Sequence, residues 1–100
     1  MNSLNSLLVE GNLVSDPIME NNICKFSISS DRFYKEENDL VKETSYFNIE
    51  AYGRLGENCY KELKQNRGIR VVGRIRQLEL DGKMIVISEH IEFKPIKKDN

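Results

Sequence analysis

An alternation of apolar and polar residues with a period of two is the feature that most restricts this chain. Leu7, Val9, Gly11 and Leu13 alternate with Leu8, Glu10, Asn12 and Val14, and Cys24, Phe26 and Ile28 alternate with Lys25, Ser27 and Ser29. Successive side chains of an extended strand leave on opposite faces, so runs of this kind form half-buried strands. Turn formers cut the runs: Asp16-Pro17, Asn21-Asn22 and Asp81-Gly82. The pattern predicts a first strand over 4–14, a second around Cys24 to Ser29 and a third over Thr44–Tyr52. A fourth is predicted over Ile69–Leu80 and a fifth over Lys83–Phe93, joined by Asp81-Gly82 as a tight hairpin turn of the favoured type. Residues 35–43 are polar and charged and read as a solvated loop.

One segment has the other period. Leu55, Cys59 and Leu63 recur at i, i+4 and i+8, which predicts a helix over 54–65 ended near Gly68. With 100 residues the chain supports one domain, read as 1–93 with a short flexible tail over 94–100. Five strands with a helix between the third and fourth is the order of the OB-fold, an all-β, five-stranded Greek-key barrel that binds oligonucleotides through its second and third strands and adjoining loops.

Charge is informative in its distribution. The net charge is −1, so no global field marks a polyanion partner. Residues 1–24 hold no Lys or Arg, whereas 67–76 hold Arg67, Arg70, Arg74 and Arg76 and no acid. A local basic stripe of this kind is the electrostatic footprint of a phosphate-binding strand. Its bland counterpart is a solvated charged face.

Enzymatic readings find little support. His90 is the single histidine, which rules out a catalytic or metal-binding pair of histidines. There is no Gly-rich phosphate loop of the Walker type. Cys59 sits on the helical apolar stripe, as a core residue would. Cys24 and Cys59 have no metal-ligand spacing and read as reduced thiols. No cofactor or metal is implied. Met1 to Val9 lacks the basic start of a signal peptide, and no run of about 20 apolar residues occurs; the expected location is the cytoplasm.

The third strand carries the binding signal. Phe47, Ile49 and Ala51 suit a barrel interior, which leaves Tyr46, Asn48, Glu50 and Tyr52 outside. Exposed rings on an open sheet face stack on bases, since every base has a π-face. Packing of the same rings under a loop or against a subunit is the competing explanation. Tyr34, beside Arg32 and Lys35, is expected to share the tyrosine face. Arg70, Arg74 and Arg76 share a face of the fourth strand, and Arg70 and Lys35 are expected to line the same groove. Arginine pairs with phosphates and stacks on bases.

Five runs carry a resemblance: Gly11-Asn12-Leu13 with Asp16-Pro17; Phe26-Ser27-Ile28; Lys42-Glu43-Thr44; Tyr52-Gly53-Arg54-Leu55 with Glu57-Asn58; and Gly73-Arg74-Ile75-Arg76. In this order and spacing the chain resembles bacterial single-stranded DNA-binding proteins. The resemblance implies an OB-fold, usually a homotetramer, that binds single strands without sequence preference in replication, recombination and repair. It implies a bacterial, nucleoid-associated location. Tyr34, Tyr46 and Tyr52 fall where that family stacks bases on tryptophan or phenylalanine, and Arg54 lies in a matched run. Leu80 falls where many members carry another stacking tryptophan; this chain has none.

Three departures accompany the likeness. Asp81-Gly82 implies a short hairpin. Phe47 stands where many members carry a histidine near the subunit contact. The family's acidic, Phe-ended C-terminal tip, which recruits replication and repair proteins, is not in this sequence, which reads Lys97-Lys98-Asp99-Asn100 at its end. A tailless, dimeric relative of primosomal type has similar architecture and length, and keeps open a second reading as an accessory protein acting mainly through protein contacts. The expected partners are single-stranded DNA, with RNA not distinguished, and further copies of the chain, a tetramer before a dimer.

Overall fold

Hydrogen-bonded pairing of the strands closes the chain into a barrel. The computed structural model describes residues 1–96; Lys97–Asn100, part of the expected tail, lie outside the described residues. In order, the elements are β1 (Leu7–Leu13), β2 (Ile18–Glu20), β3 (Ile23–Glu36), β4 (Asp39–Tyr52), α1 (Gly53–Glu62), β5 (Gly68–Gln77) and β6 (Met84–Phe93). The lateral order is β1-β5-β6-β4-β3-β2, and a further β1–β3 pairing joins the two sides. β4 and β6 run parallel and every other pair antiparallel. Five strands thus form the closed barrel, and β2 is an addition to the edge of β3. This is the OB-fold topology that the element order predicts.

Alternation places the core as expected. Leu13, Cys24, Ile28, Ile49, Ala51, Ile69 and Val71 are buried inside the barrel, with Cys59 and Leu63 of the helical stripe closing against them. β6 is buried on both sides over Ile85–Ser88. It lies between β5 and β4, so its outward Ile85 and Ile87 are flanked on both sides by side chains of the neighbouring strands.

Several boundaries differ from expectation, each for a physical reason. The segment between Asp16-Pro17 and Asn21-Asn22 is not a plain connection, because Ile18–Glu20 pairs with β3. Asn21 and Asn22 adopt φ of 52° and 65°, the left-handed pair that a two-residue hairpin requires and that asparagine tolerates. Residues 35–43 are not a loop. β3 and β4 stay in register out to Glu36↔Asp39, leaving only Glu37-Asn38 as the tip. The ribbon projects beyond the barrel and is mostly exposed, so its strands carry no apolar alternation to be recognised.

The β5–β6 connection is longer than a two-residue turn. β5 ends at Gln77 rather than Leu80, and residues 78–83 are held by Leu78 N–H to Lys83 O at 2.8 Å and Gly82 N–H to Leu78 O at 2.9 Å. β1 is shorter than expected, but the Asn5 side-chain amide continues its pairing. It donates to Ile75 O at 2.6 Å and accepts from Ile75 N–H at 2.9 Å. The helix ends at Glu62, three residues early, because Leu63 turns extended and into the core. Lys94 is anchored rather than frayed, its N–H donating to Gly68 O at 3.0 Å.

Close backbone approach fixes one glycine in the barrel wall. The pairing of β5 with β6 shifts between Val72 and Gly73, where Val72 faces His90 and Gly73 faces Ser88, so Glu89 is an extra residue on β6. Such a bulge sharpens the local twist. A Cβ at Gly73 would collide with the Ile87 carbonyl oxygen. Gly73→Ala is therefore expected to destabilise the fold by about 1–3 kcal/mol, as overpacking does. A thermal melt followed by circular dichroism checks it, with Tm expected to fall by about 4–8 °C per kcal/mol in a chain of this size; an unchanged Tm would contradict the steric account.

Candidate functional site

The β3–β4 register determines which side chains share a surface. Pairing is unbroken from Ile23↔Tyr52 to Glu36↔Asp39, so alternation holds along the whole ribbon. The side facing away from the barrel interior carries the rows Lys25↔Glu50, Ser27↔Asn48, Ser29↔Tyr46, Asp31↔Thr44 and Phe33↔Lys42. Hydrogen bonds confirm that these residues meet: Ser27 Oγ donates to Asn48 Oδ1 at 2.7 Å and Thr44 Oγ1 donates to Asp31 Oδ1 at 2.7 Å. Tyr46 is 67% exposed and Tyr52 39%. Both rings therefore lie open on the outer face, as the alternation predicts.

The fourth sequence-predicted strand delivers Arg74 and Arg76 to the same surface. Arg74 is opposite Ile87, Ile87 is opposite Glu50, and Glu50 is opposite Lys25, a continuous row across β5, β6, β4 and β3. Arg76 is opposite Ile85. Ile85, Asn48, Ser27, Lys25 and Glu50 line a cleft of about 300 Å³ on this face, bounded by Ser15, Asp16 and Ile18. Larger clefts run along β1 (about 720 Å³) and past the end of α1 (about 830 Å³). Neither is lined by an aromatic ring, so neither offers a base a flat partner.

Glu50 sits among these groups as a hydrogen-bond acceptor. The Tyr52 hydroxyl donates to Glu50 Oε1 at 2.5 Å, and the Ser88 hydroxyl donates to the Glu50 backbone carbonyl at 2.8 Å. The hydrogen bond to Glu50 raises the Tyr52 phenol above its ordinary value of 10.0, with Arg76 opposing the rise.

Other expected site residues are placed differently. Tyr34 and Arg32 have the parity of Cys24, Phe26 and Ile28, so they occupy the opposite face of the ribbon from Tyr46 and Tyr52. There the Arg32 guanidinium lies 4.9 Å from the centre of the half-buried Tyr34 ring. Lys35 is exposed on the tyrosine side, near the ribbon tip. Arg54 is exposed on the first turn of α1. Arg70 does not line a groove with Lys35. Its guanidinium bonds Glu10 at 3.0 Å on β1 and Glu92 at 3.3 Å on β6, which occupies its donors with carboxylates. Composition missed this because Glu10 lies 60 residues away in sequence. Sequence reading also missed Phe33, which is 59% exposed on the tyrosine side; the parity of Ser27 and Ser29, carried forward, would have found it.

No group of three or more His, Cys, Asp or Glu side chains among the described residues could hold a metal ion. Cys24 and Cys59 are free and buried, and burial pushes the Cys59 thiol up to about 12. No helix of the described residues is long and apolar enough to cross a membrane.

Comparison with known proteins gives one consistent result. A family model described as the single-strand binding protein family matches residues 4–87. The chain is 26% identical over 83 residues to single-stranded DNA-binding protein 2 of Chlorobaculum tepidum, covering 76% of this chain and 56% of the relative. It is 26% identical over 102 residues to the single-stranded DNA-binding protein of Aquifex aeolicus, covering 90% and 69%. With the Treponema pallidum protein of that name it shares 29% over 82 residues, covering 77% and 47%. The chain thus spans about half to two thirds of the length of these relatives. A crystal structure of a deletion mutant of the Thermus aquaticus single-stranded DNA binding protein superposes with a TM-score of 0.80 at 24% identity, covering 92% of this chain and 51% of that one. A Plasmodium falciparum SSB complex with ssDNA gives 0.79 at 20% identity, covering 95% and 98%.

The Tyr52–Glu50 hydrogen bond can be checked by spectrophotometric titration. One tyrosine is expected to ionise above pH 10, and Glu50→Gln should bring it back toward that value by removing the carboxylate charge. Because the folded value is raised, the bond's contribution to stability is present below pH 10 and is lost as pH rises through the folded value. Identical titrations of the two proteins would show that the bond does not form in solution.

Proposed function

The chain belongs to the single-strand binding protein family, and on that premise we propose that the outer face of its β3–β4 ribbon binds single-stranded DNA without sequence preference. The family is one of binding proteins rather than enzymes. The observation that carries the reading is the exposure of Tyr46 and Tyr52 on one open sheet face to which β5 brings Arg74 and Arg76. Bases stack on the rings, and the guanidinium groups pair with phosphates. Asn48, Lys25 and Lys35 lie on the same face and supply polar contacts. A role in replication, recombination and repair follows from binding of this kind.

A contact between copies is favoured by a second observation. β1 pairs with β5 from Leu7 to Asn12 but with β3 only at Asn12 and Leu13. Its other edge, along Leu7–Gly11, is open, carries no Lys or Arg, and exposes Leu8. An unpaired edge without lysines accepts a second strand readily. The proposed assembly is a homo-oligomer, a tetramer before a dimer. Light scattering at micromolar concentration tests it, and a monomer would reject it.

Binding is tested with oligo-dT, and with oligo-U as the RNA arm. Tyr46→Ala is expected to weaken binding by about 1–3 kcal/mol, one base stack, with little change in Tm because the ring is exposed. Arg76→Ala should lower the slope of log affinity against log salt by about 0.7, one phosphate contact. Glu50→Gln should tighten binding modestly, most at low salt, by removing a like charge from the phosphate path. Unchanged affinity in folded Tyr46→Ala, together with an unchanged slope in Arg76→Ala, would place the DNA elsewhere.

A further inference from the structure

We infer that Phe33, with Lys42 and Lys35 beside it, forms a separate base-stacking platform on the projecting part of the β3–β4 ribbon. The inference rests on the outer-face reading and extends it past the barrel. Three observations carry it. Phe33 is opposite Lys42 in an unbroken register, so its side chain leaves on the side of Tyr46 and Tyr52, whereas neighbouring Tyr34 leaves on the other. The Phe33 ring is 59% exposed, an unusual position for a phenylalanine that nothing covers. Cations flank it: Lys42 directly across, with its side chain 57% exposed, and Lys35 two residues along the same face. The Asp31 carboxylate, which accepts the Thr44 hydroxyl, lies 3.8 Å from Lys42 Nζ; unlike the closer pairs of Arg70, this is a loose, solvent-exposed pair that a phosphate can replace.

A flat apolar ring with one lysine opposite and another two residues along the same face matches one nucleotide in chemistry, a base for the ring and flanking phosphates for the lysines. The spacing agrees with a single track. Lys42, in the Phe33 row, is four residues from Tyr46, or ~13 Å at ~3.3 Å per residue. Tyr46 is six residues from Tyr52, or ~20 Å on the same measure. The three rings thus follow one line along the ribbon, with Phe33 at its outer end, so only a strand long enough to pass the barrel reaches it.

Replacing Phe33 by Trp provides a direct readout, because the chain has no tryptophan of its own. Phe33→Trp is expected to bind at least as tightly as the parent, with its fluorescence quenched as oligo-dT saturates the protein. Phe33→Ala should weaken binding of probes of about 16 nucleotides by roughly 5- to 140-fold, the 1–3 kcal/mol of one base stack converted at about 1.4 kcal/mol per tenfold. For probes of about 4 nucleotides, which the barrel face accommodates alone, the loss should be absent. Tyr34→Ala should lose less than Phe33→Ala on the long probe. If Tyr46→Ala loses affinity while Phe33→Ala does not and the tryptophan is not quenched, the platform is rejected and the outer-face reading stands. If neither Tyr46→Ala nor Phe33→Ala has any effect, the outer-face reading itself fails. A lower solution mass for Phe33→Ala with unchanged DNA affinity would assign the ring to a contact between copies and reject the platform.

Discussion

Fourteen cross-strand pairs between β3 and β4, from Ile23↔Tyr52 to Glu36↔Asp39, are the constraint on which the rest of the molecule depends. Side chains alternate with a period of two, so a slip of one residue by either strand would turn all of its side chains to the wrong face. A slip of β3 would take Phe26 and Ile28 out of the core, and a slip of β4 would take out Ile49 and Ala51 and turn Tyr46 and Tyr52 inward. The register is set at the tip by the two-residue Glu37-Asn38 turn that joins Glu36 to Asp39, whereas the left-handed Asn21-Asn22 turn fixes β2 against β3. At the barrel end the buried half of the ribbon gains only in one alignment. The candidate site is the outward side of the same pairing, so the hydrophobic core and the binding face are specified together.

The charge distribution follows a second division of labour. Arg70 and Lys94 converge with Glu10, and Arg70 also reaches Glu92, so this group ties β1, β5 and β6 together on the outside of the barrel. The Lys94 and Arg70 side chains hold the Glu10 carboxyl below its ordinary value. Exposed pairs of this sort contribute little to stability; their consequence is that these cations are not free for phosphate. Arg74 and Arg76, past the bulge at Gly73, lie in rows with Ile87 and Ile85 instead. A chain of net charge −1 can thus present a local cationic margin, because pairing neutralises one part of the basic stripe and leaves the other part available.

Aromatic chemistry sets the scale of the proposed interaction. Without tryptophan, the rings on offer are tyrosine and phenylalanine, each with a smaller face. Tyr52 is oriented by its hydrogen bond to Glu50, so a carboxylate that opposes phosphate by charge also orders a ring that would receive a base. The tip of the β5–β6 connection carries Leu80, almost fully exposed, in place of a ring.

Read alone, the sequence determined the strand alternation, the helical stripe of Leu55, Cys59 and Leu63, the order of elements and hence the OB-fold, and the outward placement of Tyr46 and Tyr52. These are local properties, set by periods of 2 and 3.6 that a buried face imposes on residues close in the chain. The tertiary structure decided the rest. The polar stretch 35–43 became strand because pairing across the ribbon satisfied its backbone without any apolar face to advertise it. Arg70 was withdrawn from the basic stripe by Glu10, a partner distant in sequence. Tyr34 went to the face opposite Tyr46 and Tyr52, and Phe33 to theirs, because the alternation of β3 runs unbroken to the ribbon tip, an extension that only the pairing with β4 sustains.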